Sequence, residues 1–246
     1  MGLDLELALS LADVADAISL PFFHEGEIRV ELKTDLSPVT EADLRVELEL
    51  RRRLAAERPD DAILGEEQGQ HGSSRRRWIL DPVDGTRNFA RGIPVWATLI
   101  AVEEEGEIHV GVVSAPALGR RWWAERGGGA FADGRPIHVS TTSKVEDAVL
   151  SFALEQPVPE LARRAWHARG LGDFWAHVLV AEGAVDGCVD AVGVHVWDLA
   201  AVQVIVEEAG GTMTDLAGAR RIDSGSAVSS NGLLHETLVA SSRREP

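Results

Sequence analysis

The run Trp78-Ile79-Leu80-Asp81-Pro82-Val83-Asp84-Gly85-Thr86 constrains the fold more than any other stretch, because it closes an apolar segment with two carboxylates, a glycine and a hydroxyl. Trp78 to Leu80 reads as a short buried strand, Pro82 and Gly85 punctuate the turn after it, and Thr86 stands where a helix can start. Asp81 and Asp84 then converge on the space above the strand end. Carboxylate oxygens suit Mg²⁺, which keeps several waters and is held by few protein ligands plus a substrate phosphate. Backbone N–H groups of Gly85 and Thr86 are placed to receive such a phosphate. The alternative is a plain turn in which both aspartates cap backbone donors. A phosphatase chemistry with an aspartate nucleophile needs the carboxylates two residues apart, and here they are three apart.

The bulk numbers narrow the class. A chain of 246 residues buries a substantial core, about 70–75% of the surface of the unfolded chain. A formal net charge of −16 argues against nucleic-acid partners, which are held by clustered Lys and Arg. Cys188 is the only cysteine, so an intrachain disulfide and a thiolate zinc cluster are both excluded and a core role is expected. The first residues lack the basic stretch of a signal peptide, and no apolar run approaches the ~18 residues of a membrane span. The expectation is a soluble, cytoplasmic protein with no membrane partner.

Along the chain, Leu3 to about Leu20 has helical spacing and Pro21 is expected to end it. Glu27 to Lys33 reads as a strand, and Thr40 as the N-cap of a helix through Glu57, with Asp43 completing a capping box. Asp61–Leu64 and Arg77–Leu80 read as strands separated by a mobile loop, Gln68 to Arg76. Val95–Val102, Ile108–Ser114 and Arg121–Glu125 form a strand meander. Gly127-Gly128-Gly129 lies between strand-like runs and reads as a hairpin turn, not a phosphate loop. Beyond Ser140 helices and strands alternate, and a long helix from Trp197 to Ala209 stops at Gly210-Gly211. The expected organisation is an N-terminal lobe over 1–138 and a C-terminal lobe over 139–246, forming one catalytic unit.

Further carboxylates accompany the strand end. Gly65-Glu66-Glu67 follows a strand and can reach the same space, or form an exposed acidic loop. Asp198 begins the long helix, where the dipole alone favours an acid by about 0.3–1 kcal/mol. Taken together, Gly65-Glu66-Glu67, Asp81-Pro82-Val83-Asp84-Gly85-Thr86, Trp197-Asp198-Leu199-Ala200 and Glu208-Ala209-Gly210-Gly211 resemble, in order and spacing, the motifs of the inositol monophosphatase family. Val39-Thr40 with Asp43, and Ala124 to Ile137, extend the resemblance over nearly the whole chain.

That resemblance implies an α+β / α/β layered sandwich of alternating helix and sheet layers. It implies that Glu66, Asp81 and the Val83 carbonyl hold one Mg²⁺, and that Asp81, Asp84 and Asp198 hold the second. A third ion near Glu66 and Glu67 is left open. Asp43 and Thr86 would orient and deprotonate the attacking water, with Glu66 also counted as catalytic, while Gly85 and Thr86 bind phosphate. Lys33 lies near the position of a loop lysine beside that site. Two cations about 3.5–4 Å apart acidify a water and neutralise a leaving alkoxide without a covalent intermediate. Consistent with this, the eight histidines form no His-Glu-x-x-His pattern, and there is no Gly-x-Ser-x-Gly elbow or P-loop. His195 is expected to be structural.

Within the family, Gly92 to Thr98, Ser114 to Trp123, Gly172-Asp173-Phe174-Trp175 and Ser230 to His235 resemble the bacterial histidinol-phosphatase branch. This implies the dephosphorylation of L-histidinol phosphate in histidine biosynthesis, by a homodimer. Such a substrate carries an ammonium and an imidazole, for which a carboxylate and an aromatic wall are suitable partners. Asp173 and Trp175 are the candidates, against a turn Asp and a core Trp. Where family members commonly place a substrate-binding Glu seven residues before the metal Asp, this chain has Ala191, with Asp190 adjacent. The alternatives are an inositol 1-phosphatase or broad small-ester phosphatase, and a mainly protein-binding member of the family.

Overall fold

The computed structural model describes residues 2–25, 30–32, 38–152, 160–191 and 193–242. Lys33, and the parts of the predicted Glu27–Lys33 strand other than 30–32, lie outside them. The chain begins with α1 (Leu3–Glu25), β1 (Val30–Leu32), β2 (Pro38–Thr40) and α2 (Glu41–Glu57). Next come β3 (Ala62–Gly65), β4 (Gly69–His71), β5 (Arg76–Asp84), α3 (Thr86–Ala90), β6 (Ala97–Glu104) and β7 (Glu107–Ala115). They are followed by β8 (Arg120–Glu125), β9 (Gly129–Ala132), β10 (Arg135–Pro136) and β11 (Val149–Phe152). The remaining elements are α4 (Glu160–Arg164), β12 (His167–Arg169), α5 (Asp173–Ala181), β13 (Gly187–Asp190), α6 (Val196–Glu208), β14 (Thr212–Thr214), β15 (Ala227–Ser230) and α7 (His235–Ser242).

Eight strands form one sheet in the order β10-β9-β8-β7-β6-β5-β3-β4, and five form another in the order β12-β11-β13-β15-β14. The first is antiparallel except where β3 lies parallel to β5. Strand alternation assigns its two faces. Trp78, Leu80, Ile100, Val102, Val110 and Val112 pack under α1 and α2, against Leu11, Leu50 and Leu54. Ile79, Leu99, Ala101, Val113 and Trp122 face α5 and α6 on the other side, where Cys188 of β13 joins the same core. Beyond the five-stranded sheet, Leu150, Val189 and Val228 meet Leu161, Leu234 and Leu238. The result is the layered sandwich expected from the sequence, with α5 and α6 as its central layer. Among the described residues no helix is long and apolar enough to cross a membrane.

Three local expectations change. Helix α1 continues through Pro21 to Glu25, although a proline inside a helix removes a hydrogen bond and crowds the preceding turn. The packing of the last turn offsets that cost: Phe23 meets Phe89 and Trp96 at 5.6 and 5.4 Å between ring centroids. The polar stretch expected to be a mobile loop contains β4, which pairs antiparallel with β3 and edges the sheet. Strand β5 also does not stop at Leu80. It runs to Asp84, with a bulge against β6 between Asp81 and Asp84, which accommodates Pro82 where a regular ladder would need its N–H.

The glycine-rich turn between β8 and β9 is a hairpin, as its flanks predict. Its amides are engaged from the C-terminal end of α6, where Glu208 accepts hydrogen bonds from Gly127 and Gly129 N–H, both at 2.9 Å. Glu207 beside it pairs with Arg126 and Arg220. These contacts anchor one end of α6 to the large sheet while its other end delivers Asp198.

Leu80 is fully buried under α1 and α2, whereas Leu48 on α2 is 61% exposed. Leu80→Ala is expected to lower the unfolding free energy by about 2–5 kcal/mol, and Leu48→Ala to change it by no more than about 0.5 kcal/mol. Urea denaturation of the two variants checks the assignment of this core.

Candidate metal and phosphate site

The site forms where the end of β5 meets the N-terminal turns of α2 and α6. The bulge leaves Asp81 and Asp84 on one side of the strand, and Asp198 arrives from α6. Carboxylate oxygens of the three lie within 4.8 Å of one another. Backbone donors orient each: Asp81 Oδ1 accepts from Val83 N–H at 3.1 Å. Asp84 Oδ2 accepts from Phe174 N–H at 2.6 Å. Asp198 Oδ2 accepts from His195 N–H at 2.6 Å in a capping box. His195 itself stacks on Trp197 at 4.9 Å and holds the helix start, the structural part expected of it.

Asp43 enters from the first turn of α2. Its Oδ2 accepts the Thr40 N–H at 2.9 Å and the Thr40 hydroxyl, the capping box legible in the sequence. Its Oδ1 lies 3.5 Å from Thr86 Oγ1, which donates at 3.0 Å to the Val83 carbonyl. Thr86 opens α3 directly after Gly85, whose φ of 82° is left-handed. A Cβ there would meet the Val95 carbonyl oxygen at 3.0 Å, so the turn needs a glycine both for its backbone angle and for its neighbour.

Burial and crowding act on these acids together. Asp81 and Asp84 are raised well above the usual carboxylate range by burial, then by Glu66 for Asp81 and by Asp173 for Asp84, and Asp198 raises both. Burial and the nearby Glu66 push Asp43 up to about 6, against the hydrogen bonds from Thr40. Burial likewise pushes Asp198 up to about 6, opposed by the His195 N–H and assisted by Glu66. Glu66 is thus electrostatically part of the cluster. A buried all-oxygen donor set that repels itself fits a hard divalent cation, which would relieve both penalties.

Asp173 borders the cluster. It occupies the first position of α5 at φ 50°, a left-handed angle that costs a non-glycine residue energy and calls for a compensating role. Asn88 Nδ2 donates to Asp173 Oδ2 at 3.4 Å and to the Val95 carbonyl at 2.8 Å. Asp173 is exposed as a residue, but desolvation of its carboxyl by the surrounding protein, then the charge of Asp190, pushes it up to about 6, with Arg87 and His177 opposing. Asp190 is buried behind it, 3.0 Å from His177 Nε2, while His177 Nδ1 meets Ser229 Oγ at 2.8 Å. Trp175 sits two positions beyond Asp173, where a helix turns its side chain away. Its half-buried ring packs edge-on against Trp122 at 5.9 Å, at the margin of the core between the sheets.

Sequence reasoning missed Asn88 and His177. His177 lies one helical turn after Asp173, a spacing that could have flagged it. Asn88 carried no distinguishing signal, because its partner is 85 residues away.

The folded state keeps protons on Asp43 and Asp198 up to about pH 6 that the unfolded chain releases near pH 4, so their contribution to metal-free stability falls as pH rises through that window. Cation binding must displace protons from the acids, and that competition weakens as pH rises. Mg²⁺ is therefore expected to raise the melting temperature at about pH 8 and to have little effect at about pH 5. Calorimetric scans at both pH values check this, and an equal gain at both would contradict the assignment.

The sequence pattern of the inositol monophosphatase family matches residues 5–246. The histidinol-phosphatase of Mycobacterium tuberculosis is 49% identical over 96% of each chain. That of Streptomyces coelicolor is 45% identical over 96% of this chain and 95% of its own. Among solved structures, the extragenic suppressor protein SuhB of Bartonella henselae superposes with a TM-score of 0.92 at 29% identity, covering 100% of both chains.

Proposed function

The chain belongs to the inositol monophosphatase family and is a phosphoric monoester hydrolase; we propose that its substrate is L-histidinol phosphate, released as L-histidinol and phosphate. The similarity to two histidinol-phosphatases over almost the whole chain supports this reading. The observation that carries it is Asp173, an acid held in a left-handed backbone at the border of the carboxylate cluster. An anion there suits the ammonium of an amino alcohol. Asp190, with His177, places a second acid behind it.

In this reading Glu66, Asp81 and the Val83 carbonyl hold one Mg²⁺, and Asp81, Asp84 and Asp198 the other. The cations would supply charge neutralisation for the phosphoryl group and leaving oxygen, and would acidify water. Asp43, with a pKa of about 6, is suited to accept a proton near neutral pH. The Thr86 hydroxyl, between Asp43 and the Val83 carbonyl, orients the attacking water. Gly85 and Thr86 N–H groups bind phosphate at the turn before α3. The same reading includes a cytoplasmic homodimer, a step in histidine biosynthesis, and residues 1–138 and 139–246 as two lobes of one catalytic unit.

An inositol 1-phosphatase is the second reading within this family. Ala191, where a substrate-binding Glu is common, weighs against it. The complete set of metal carboxylates weighs against a purely protein-binding role. Phosphate release from histidinol phosphate, inositol 1-phosphate and glycerol 2-phosphate, with and without Mg²⁺, separates the three.

Two substitutions sharpen the test. Asp84→Asn is expected to lower kcat about 10³-fold, roughly 4 kcal/mol of transition-state stabilisation, with the fold intact. Near-normal turnover at saturating Mg²⁺ would remove Asp84 from the metal site. Asp173→Asn keeps shape and removes charge, so kcat/KM for histidinol phosphate should fall about 10- to 150-fold, as expected for a charge-assisted hydrogen bond. Inositol 1-phosphate, which carries no ammonium, should lose far less. Equal losses on both esters would make Asp173 part of the general site.

A further inference from the structure

Glu47 is a fully buried carboxylate on α2, one helical turn after Asp43. Its Oε2 accepts the Glu67 N–H at 2.8 Å and its Oε1 the Gln68 N–H at 2.9 Å. Arg51, a further turn along α2, pairs with Glu47 Oε1 at 2.8 Å and also donates to the Gly69 carbonyl. The loop after β3 is thus gripped by two charged side chains of α2 on the C-terminal side of Glu66. On its N-terminal side, Glu66 N–H donates to the Leu80 carbonyl of β5 at 3.2 Å. Gly65 completes the fit. Its φ is not left-handed, yet a Cβ there would stand 2.7 Å from Glu47 Oε2 and overlap the rest of the carboxylate. The glycine of the Gly65-Glu66-Glu67 motif therefore makes room for a buried anion.

We infer that Glu47 is a positioning residue for the metal site: by binding the Glu67 and Gln68 amides it fixes the loop that aims the Glu66 carboxylate at the cation. The inference rests on the metal reading above. A buried anion is costly unless paired and hydrogen-bonded, and here both carboxylate oxygens are used on this one loop and on Arg51. Because Asp43 and Glu47 share one face of α2, the same helix sets the proposed base and the proposed metal ligand in a common frame. Groups that orient metal ligands without touching the ion typically change metal affinity about 10- to 100-fold when removed.

Glu47→Gln keeps the side-chain shape but turns an N–H₂ toward one of the two amides and removes the charge facing Arg51. The expected results are three. Mn²⁺ affinity of the substrate-free protein, by isothermal titration, falls about 10- to 100-fold. The Mg²⁺ concentration needed for half-maximal phosphate release rises by a similar factor, while kcat at saturating Mg²⁺ stays within about threefold. Amide exchange at Glu67 and Gln68 accelerates relative to the β5 core. If Glu47→Gln does not fold, Gly65→Ala disturbs the same contact from the loop side and is judged on the same readouts. Unchanged Mn²⁺ affinity in the folded variant, or a loss of kcat that added Mg²⁺ does not restore, overturns the inference. A wild-type protein that binds no Mn²⁺ instead overturns the metal reading, and this inference with it.

Discussion

Holding mutually repelling carboxylates together in a buried place is the constraint on which the rest of this structure depends. Asp81 and Asp84 are raised by burial first and by their acidic neighbours next, and Asp43 and Asp198 feel the same field. An isolated turn bearing such a set would splay open into water. The fold opposes this by drawing the acids from β5, α2, the loop after β3 and α6, each anchored by backbone hydrogen bonds and by a core on its far side. Unfavourable electrostatics in the metal-free protein become, in the proposed function, the affinity for a divalent cation.

Two of those anchors carry most of the geometry. The bulge in β5 turns a proline-containing strand end into a platform with Asp81 and Asp84 on one side. Helix α6 brings Asp198 from the other side of the sequence, and its distal end is tied to the large sheet through Glu208 and the glycine turn, and through Glu207 with its two arginines. Since α6 packs against both sheets, the position of Asp198 depends on the central layer being intact.

The side proposed to face substrate follows a different logic. Asp173 accepts a costly backbone angle, Phe174 N–H binds Asp84, and Asn88 ties Asp173 to the loop before β6. The carboxylate cluster and the proposed ammonium site are therefore joined through two consecutive residues. Trp175, half-buried, packs its ring beside Trp122.

Much of this was legible along the chain wherever a local rule sufficed. The Thr40–Asp43 capping box, the meander from β6 to β8, the hairpin at Gly127–Gly129 and the start and stop of α6 follow from side-chain periodicity and turn chemistry acting over a few residues. The motif order also singled out Asp81, Asp84 and Asp198, whose oxygens the fold brings within 4.8 Å. Tertiary structure decided what depends on partners distant in sequence. Pro21 stays helical because aromatic rings pack on the turn that follows it, and β4 becomes a strand because β3 offers it an edge. Glu47 becomes a buried clamp only because a loop twenty residues on supplies its amides, whereas on a helical wheel it is one more acid on a charged helix. The physical reason is the same in each case: caps and turns are satisfied by neighbours in the chain, while burial and strain are settled only by what the rest of the fold places alongside.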